Sequence, residues 1–339
     1  MAAMTEAEMF AALAVDSDDD VGGGSIVAPD ATEQQVNLVR LQNGTYIPIH
    51  LWRRVMSFLT VCEQAVSVRG VSRFFRECSD VYMQNFWSEP TIHLPEDASS
   101  LERAMEMCQY LMEQEGYVEG TTMVVALGSG VYEVVGSCEV PGMFGTTTYQ
   151  KTLSIPFNNL SFVGQGEGET IVDGGFAVEN GRKISFAGLT VKDSSGYGLF
   201  ASGAGVEVVM QNVIVEKCQR YGVFVGGGAK LVASECQFHQ NRWNGVFVGG
   251  STTTACLTNC TSHHNKHNGV HAESGAVVDL MGEGTSVHDN ERNGLNAFLP
   301  GSTINVYQPC VLNDMSHGNK GQNIRMDYGG IVQQKDSKK

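Results

Sequence analysis

Three histidines recur at nearly equal intervals in the C-terminal half of this 339-residue sequence. His239, His263 and His288 each lie six residues before a glycine that opens an apolar stretch. The histidines nearest to them are His264, His267 and His271. Imidazoles brought together in this way could bind a metal ion. Apart from Glu216, however, no acidic residue occupies the same place in the pattern, so we predict solvated histidines, no metal site and no cofactor.

Carboxylates are the second group that could do chemistry. Polysaccharides are cleaved by carboxylates, or by carboxylates with a lysine or arginine, that are held close together. The aspartates that stand out along the chain are Asp173, Asp193, Asp289 and Asp314, and we expect them to be isolated from one another. Asp173, in the segment "IVDGG", is predicted to lie in a turn. We therefore predict no catalytic residues, and an acid pair near 313–319 remains an open alternative.

Aromatic residues form the third candidate site. The phrase "GVFV" begins at Gly222 and again at Gly245, and its phenylalanine belongs to a recurring set. An exposed apolar ladder usually marks a binding surface. The residues predicted to bind a target are Phe200, Phe224, Phe247, His271, Tyr221 and Trp243. Asn296 continues the series and Tyr197 lies beside it. The alternative is that a loop, the N-terminal helices or a second copy of the chain covers the rings.

A repeat of about two dozen residues must position these side chains. Its marker glycines are Gly198, Gly222, Gly245, Gly269 and Gly294, at intervals of 24, 23, 24 and 25 residues. Each copy holds three short strand-like runs, as in the marker triplet, "KLVAS" and "CQFHQN". This period predicts a parallel β-helix in which one copy forms one coil and coils stack at about 4.8 Å. A leucine-rich repeat would need a dense leucine pattern, and a β-propeller a period of about 40 residues.

Stacked coils bring like residues above one another. In "GVFV" the strand period of two points both valines inward and the phenylalanine outward. Asn241, Asn265 and Asn290 each lie four residues before a marker glycine. Their amides are expected to hydrogen-bond from coil to coil, and asparagine also tolerates the left-handed backbone that tight turns need. We expect the marker glycines to lie where backbones approach closely or where φ is positive.

Composition limits the possible partners and compartments. The formal charge of -15 argues against nucleic acid, and no apolar run approaches the ~20 residues that span a bilayer. The N-terminal "MAAMTEAEMF" lacks the features of a secretory signal, so we expect an intracellular protein, cytoplasmic or nuclear. The nine cysteines are expected to be free, buried thiols in that setting.

The chain divides by pattern into four parts. Residues 1–40 are acidic and glycine-rich and are predicted to be disordered. Residues 41–90 contain short amphipathic runs that predict a small helical unit. The β-helix is expected over 91–332, with a cap helix at about 100–115 that begins after Ser99 or Ser100. A short tail, 333–339, completes the chain.

Two segments carry resemblances to known families. "NLSFVGQGEGETIVDGG", preceded by "VVALGSGVYEVV", resembles the opening coils of right-handed parallel β-helix proteins of the pectate-lyase and pectinesterase type. The resemblance covers about 91–332. It implies a mainly β fold, a single-stranded right-handed parallel β-helix that follows a small α-helical unit. It implies little about activity, because this fold includes enzymes and binding modules alike.

"IPIHLWRRVMSFL", from Ile47 to Leu59, is similar to the start of an F-box, and "VSRFFR", from Val71 to Arg76, is similar to its later part. Ile47 replaces the usual leucine and His50 the usual acidic residue. The resemblance implies binding to a Skp-type adaptor. The residues that it assigns to this contact are Pro48, Leu51, Trp52, Val55, Phe58, Leu59, Val71 and Phe75.

Together the resemblances imply a substrate-recognition subunit of an SCF-type, cullin-RING ubiquitin ligase. The F-box-like unit would bind the adaptor and cullin complex, and the β-helix would hold an unknown target protein near the ligase. On this interpretation the chain is not an enzyme and contacts neither nucleic acid nor membrane. Two alternatives stay open. One is a carbohydrate-active β-helix enzyme of the pectate-lyase or glycoside-hydrolase type, and the other is a binding scaffold unrelated to a ligase.

Overall fold

The computed structural model describes residues 38–40, 46–48, 90–113, 118–142 and 145–337, with backbone alone at 38–40, 46–48, 141–142 and 145. Two short strands, β1 (Leu38–Arg40) and β2 (Tyr46–Pro48), form a two-stranded sheet. Pro48 therefore lies in a strand. The other residues predicted to bind an adaptor, from Leu51 to Phe75, lie outside the described residues, as does most of the predicted disordered segment.

Strands β3–β27 and two helices form the rest of the described chain. The N-terminal elements are β3 (Thr91–Leu94), α1 (Leu101–Met112), β4 (Met123–Leu127), β5 (Gly130–Glu133), β6 (Ser137–Gly142), β7 (Gly145–Gln150), β8 (Thr152–Ile155), β9 (Leu160–Val163), β10 (Thr170–Glu179) and β11 (Lys183–Asp193). The central elements are β12 (Leu199–Ser202), β13 (Glu207–Glu216), β14 (Val223–Gly226), β15 (Lys230–Ser234), β16 (Gln237–His239), β17 (Val246–Gly249), β18 (Thr254–Thr258) and β19 (Thr261–His263). The C-terminal elements are β20 (Val270–Glu273), β21 (Val277–Met281), β22 (Ser286–His288), β23 (Leu295–Phe298), β24 (Thr303–Tyr307), α2 (Leu312–Met315), β25 (Ser316–His317), β26 (Ile324–Asp327) and β27 (Ile331–Lys335).

The strands stack as a right-handed parallel β-helix, as the period predicts. One coil consists of β14, β15 and β16, and each strand pairs in parallel with its counterpart one coil later, β17, β18 and β19. Equivalent residues are direct partners, as in Phe224 with Phe247 and His239 with His263. β27 continues through Lys335 into the predicted tail because it pairs with β24.

Alternating side chains separate the core from the surface. Val223 and Val225 are fully buried, whereas Phe224 between them lies on the outside. The interior is a continuous column of aliphatic side chains. Near its N-terminal end Phe162, Phe176 and Phe186 pack with ring centroids 4.8–5.3 Å apart. The predicted inward valines and outward phenylalanine are confirmed.

Helix α1 packs against the N-terminal coils. Its amphipathic sequence buries Leu101, Cys108 and Leu111 against the core. Ser100 is the N-cap, and its hydroxyl accepts a hydrogen bond from the Arg103 amide at 3.2 Å. None of the seven described cysteines forms a disulfide, and six of them are buried. Among the described residues, no helix has the length and apolar character to cross a membrane.

The asparagine ladder forms as predicted. The Nδ2 of Asn241 donates to Oδ1 of Asn265 at 3.0 Å, Asn265 donates to Asn290 at 3.0 Å, and Asn290 to Asn319 at 2.9 Å. The left-handed backbone predicted for these asparagines lies instead one residue earlier, at Gln240. The side chain of the ladder residue can then turn toward the coil interior, where all three of the predicted asparagines are fully buried.

One hairpin departs from the coil stack. Strands β6 and β7 pair antiparallel, with Cys138 opposite Tyr149. Their apolar side chains Cys138, Val140 and Tyr149 pack on the outside of the β-helix rather than joining its core. The hairpin therefore interrupts the period between β5 and β8 and covers part of one outer face.

Candidate functional site

The predicted aromatic column lies in register on one outer sheet. The centroid distances are 5.1 Å for Phe200–Phe224, 5.2 Å for Phe224–Phe247 and 5.2 Å for Phe247–His271, and each pair is stacked. Asn296 follows His271 on the next coil. The parallel pairing of β12, β14, β17, β20 and β23 places these side chains above one another. We call this column and its flanking rings the aromatic face.

The flanking rings form a second row beside the column. Tyr197 stacks on Tyr221 with centroids 5.7 Å apart, and Tyr221 meets Trp243 edge to face at 5.4 Å. Trp243 in turn stacks on His267 at 5.0 Å. Because the rings stack along the coil axis, their edges and not their faces point outward over most of this surface.

The hairpin covers the N-terminal end of the aromatic face. Phe200 is only 4% exposed and Tyr197 7%, because Val140 and Tyr149 of the hairpin pack in one cluster with them. The prediction of an exposed ladder is therefore wrong at Phe200, where the covering-loop alternative holds. His271 is also buried, whereas Trp243 remains 38% exposed. The open part of the face begins beyond the hairpin.

Arg220 lies at the boundary between the covered and open parts. Its guanidinium lies 5.2 Å from the Tyr149 ring centroid, 6.0 Å from that of Tyr197 and 5.7 Å from that of Trp243, and it donates to the Tyr197 hydroxyl at 3.3 Å. Burial raises the pKa of Tyr149 to about 12, and a hydrogen bond with Tyr197 acts in the same direction. Burial likewise raises the pKa of Tyr221 to about 12. The Tyr149 and Tyr221 hydroxyls are therefore neutral near pH 7.

Carboxylates that sequence reasoning separated come together next to the hairpin. The Lys151 ammonium lies 3.1 Å from the Asp173 carboxylate and 3.9 Å from Glu133. Asp173 and Glu133 are direct strand partners, so Asp173 does not lie in a turn and is not isolated. A hydrogen bond to Asp173 raises the pKa of Lys151, with further contributions from Asp173, Glu133 and Asp193. We call Glu133, Lys151, Asp173 and Asp193 the charged cluster.

The remaining aspartates stay apart. Asp289 accepts a hydrogen bond from the neighbouring His288 at 2.8 Å, and that bond lowers its pKa. Asp314 lies in the short helix α2. The segment 313–319 contains Asp314 as its one acidic residue, so it supplies no acid pair of its own.

The histidines form a ladder of four rings, one more than the sequence pattern showed. Centroids are 4.9 Å apart for His239–His263, 5.0 Å for His263–His288 and 5.1 Å for His288–His317. His317 was missed because the segment before it lengthens the repeat. We call these four residues the histidine ladder. Among the described residues, no group of three or more histidine, cysteine, aspartate or glutamate side chains is arranged to hold a metal ion.

Burial and neighbouring charge make the histidine ladder sensitive to acid. Burial, followed by repulsion from His239, His288 and His264, lowers the pKa of His263 to about 4. Burial also lowers the pKa of His239, although Glu216 opposes the effect. The unfolded chain binds these protons near pH 6.5, whereas the folded chain does not. The stability that the neutral histidines contribute is therefore present above about pH 6.5, and it is lost as the pH falls toward about 4.

Replacing His263 by glutamine is expected to reduce this acid sensitivity. The neutral amide cannot be protonated, so the fall in melting temperature between about pH 7 and pH 5 should be smaller than in the unmodified protein. Thermal unfolding followed by circular dichroism measures the difference. Replacing the exposed Lys266 by glutamine is the control. Equal pH dependence of H263Q and the unmodified protein would contradict the assignment.

Comparison with known proteins agrees with the observed fold. Residues 169–311 match the family model described as the right handed beta helix region. None of the curated proteins matches the sequence. The match and the register of the strands together show a right-handed parallel β-helix.

Solved structures similar to the chain are distant from it. The Agl-KA catalytic domain is 14% identical with a TM-score of 0.43, and the match covers 62% of this chain and 42% of that domain. ORF18 of Geobacillus virus E2 is 12% identical with a TM-score of 0.35, over 64% and 55% of the two chains. The A-module of the mannuronan C-5 epimerase AlgE6 of Azotobacter vinelandii is 13% identical with a TM-score of 0.25, over 64% and 88%. These likenesses say nothing about the activity of this chain.

Proposed function

We propose that the β-helix binds a carbohydrate chain along the open part of the aromatic face, and that the charged cluster acts on it. The observation that supports this most directly is the convergence of Glu133, Lys151 and Asp173 from separate segments of the chain. Cleavage of a polysaccharide uses carboxylates that are held in position, and a lysine can act with them. This favours the carbohydrate-active alternative over the ligase subunit.

The aromatic face suits a ligand that has both apolar and hydroxyl-bearing sides. Beyond the hairpin, partly exposed rings at Tyr221, Trp243 and Phe247 lie on the same outer surface as the polar side chains of Glu273 and Arg292. Binding sites commonly combine apolar lining with a few placed polar groups. The coils of the sheet beneath repeat at about 4.8 Å, which gives the ligand equivalent contacts on successive coils.

Replacing Trp243 by alanine is expected to weaken carbohydrate binding about tenfold, because exposed aromatic anchors dominate such surfaces. A glycan array identifies the bound oligosaccharide, and isothermal titration measures its affinity for both proteins. Val209, an exposed residue in β13 on a different sheet, provides the matched control as V209A. The absence of any bound glycan, or equal affinity of W243A and the unmodified protein, would overturn the binding proposal.

The charged cluster is tested separately from binding. Asp173→Asn keeps the shape of the side chain but removes its charge. We expect this variant to bind the same glycan with similar affinity and to lose turnover, measured as newly formed chain ends. If D173N retained turnover, the proposed role of the charged cluster in turnover would be wrong, and the binding proposal would stand.

A second candidate function rests on the F-box-like sequence at 47–59 and 71–76. If these segments bind a Skp-type adaptor, the chain joins a cullin-RING ligase and the aromatic face selects the protein to be ubiquitylated. A pull-down with the purified adaptor tests this candidate. Leu51→Asp and Phe58→Asp are expected to abolish the interaction, and no binding by the unmodified chain would reject it.

A further inference from the structure

The groups around His271 determine which of its nitrogens carries the proton. Oδ1 of Asn268 accepts from the Asn293 amide at 3.1 Å and from Asn293 Nδ2 at 2.8 Å. These two hydrogen bonds fix the orientation of the Asn268 amide. Its Nδ2 therefore faces His271 and donates to Nδ1 at 3.3 Å. Because Nδ1 accepts, the proton lies on Nε2, which is 3.4 Å from Glu273 Oε2. The imidazole thus holds the Glu273 carboxylate in position.

Asn296 supplies a second acceptor at the same place. Its Nδ2 lies 2.7 Å from His271 Nδ1 and shares the single lone pair of that nitrogen with Asn268 Nδ2, so its Oδ1 is turned away from the imidazole. The residue is only 7% exposed, and this Oδ1 has no hydrogen-bond partner within the described part of the chain. Leaving a buried acceptor without a donor is energetically costly. A bound donor group would remove that cost.

The two acceptors and the charge together indicate which kind of hydrogen-bond donor would bind here. The proton on His271 Nε2 is directed at Glu273, so the imidazole has none to offer a ligand. An ammonium group donates three hydrogen bonds and accepts none, whereas a hydroxyl also needs a donor. The ring of Phe247 stacks on His271, and Phe298 lies beside Glu273 one coil later. The Glu273 carboxylate and a chain charge of -15 both favour a cation.

We expect Arg325 to compete with a cationic ligand for this place. It is the direct strand partner of Asn296 on the following coil, and its side chain is exposed. Its Nε is paired with Asp327 within its own strand. Arg325 therefore lies one coil beyond Asn296 and is paired with another carboxylate.

We propose that Glu273 and Asn296 form a subsite for the protonated amine of an amino sugar. The inference rests on the proposed carbohydrate binding and adds the chemical class of the sugar. Asn268, through His271, acts as a positioning residue for Glu273. The subsite lies at the end of the aromatic column that the hairpin leaves open.

The test compares two probes that differ in charge. Titration calorimetry measures binding of a glucosamine tetrasaccharide and an N-acetylglucosamine tetrasaccharide at about pH 6, where a sugar amine is protonated. We expect the cationic probe to bind about tenfold more tightly. The preference should be lost in Glu273→Gln and at about pH 9, where the amine is neutral. Glu283→Gln, an exposed glutamate in a turn, is the matched control and should keep the preference.

Arg325→Ala provides a second, independent readout. Removing the competing cation should strengthen binding of the glucosamine probe severalfold and leave the N-acetylated probe unchanged. Equal binding of both probes, with Trp243→Ala still weakening each, would overturn the amine subsite but preserve carbohydrate binding. Failure of both probes and of every glycan on the array would overturn both proposals. A preference that survives in E273Q would also overturn the assignment.

Discussion

Replacing Asn265 by alanine is expected to lower the free energy of unfolding by about 3–5 kcal/mol. Asn265 is fully buried. Its Oδ1 accepts from the Asn241 amide and from Asn241 Nδ2, both at 3.0 Å. Its Nδ2 donates to Asn290 Oδ1 and to the Phe238 carbonyl, both at 3.0 Å. Alanine would leave several buried polar groups without partners, and each costs about 1–3 kcal/mol.

Urea unfolding followed by far-ultraviolet circular dichroism measures the loss. The exposed Gln211 in β13 provides the control, because Q211A should change stability by less than about 0.5 kcal/mol. Similar midpoints for N265A and Q211A would show that the asparagine ladder does not hold the coils together.

Replacing Gly245 by alanine is expected to destabilise the protein by about 2–4 kcal/mol. A Cβ at this position would lie 2.7 Å from Asn265 Nδ2 and 2.9 Å from the Gly269 carbonyl oxygen. Neither group can move freely, because the first belongs to the asparagine ladder and the second to the next coil. The marker glycine is therefore required by close approach, and φ at Gly245 is not positive.

Gly284 provides the matched control for this substitution. A Cβ there would meet its nearest neighbour, Asn259 Oδ1, at 3.3 Å, and the residue is exposed. We expect G284A to stay within about 1 kcal/mol of the unmodified protein. Thermal unfolding of both variants is a sufficient measurement. Equal melting temperatures for G245A and G284A would contradict the close approach of neighbouring coils.

These stability effects bear on function because the same stack positions the aromatic face. Gly245 lies between Trp243 and Phe247 in the sequence, and Asn265 lies in the turn that follows β19 on the next coil. A shift between coils would change the 5.2 Å spacing of Phe224 and Phe247. Any loss of binding in N265A or G245A therefore has to be judged against Trp243→Ala, which changes an exposed ring.

The repeat interval in the sequence predicts which side chains of the aromatic face stack on one another. The interval between Phe224 and Phe247 predicted that they stack, because one coil of a β-helix consumes one copy of the repeat. The same counting predicted Asn241 above Asn265 and His239 above His263. It failed at His317, where the longer segment before β25 changes the interval.

The contacts of the charged cluster could not be predicted from the repeat interval. Glu133 and Asp173 are direct partners, yet the hairpin β6–β7 lies between them in the sequence and breaks the period. The antiparallel hairpin also covers Phe200, which no regularity within the repeat could show. The tautomer of His271 depends on Asn293 and Asn268, whose amide orientations are set only by the network around them.

The sequence by itself determined the coil architecture, the inward valines, the outward rings and the stacked asparagines, because in a β-helix each of these follows from a local period. The tertiary structure alone decided which rings remain open, which carboxylates meet a lysine and which acceptor near Glu273 stays unpaired. Those outcomes depend on contacts between segments of unequal spacing, and such contacts are fixed by packing rather than by periodicity.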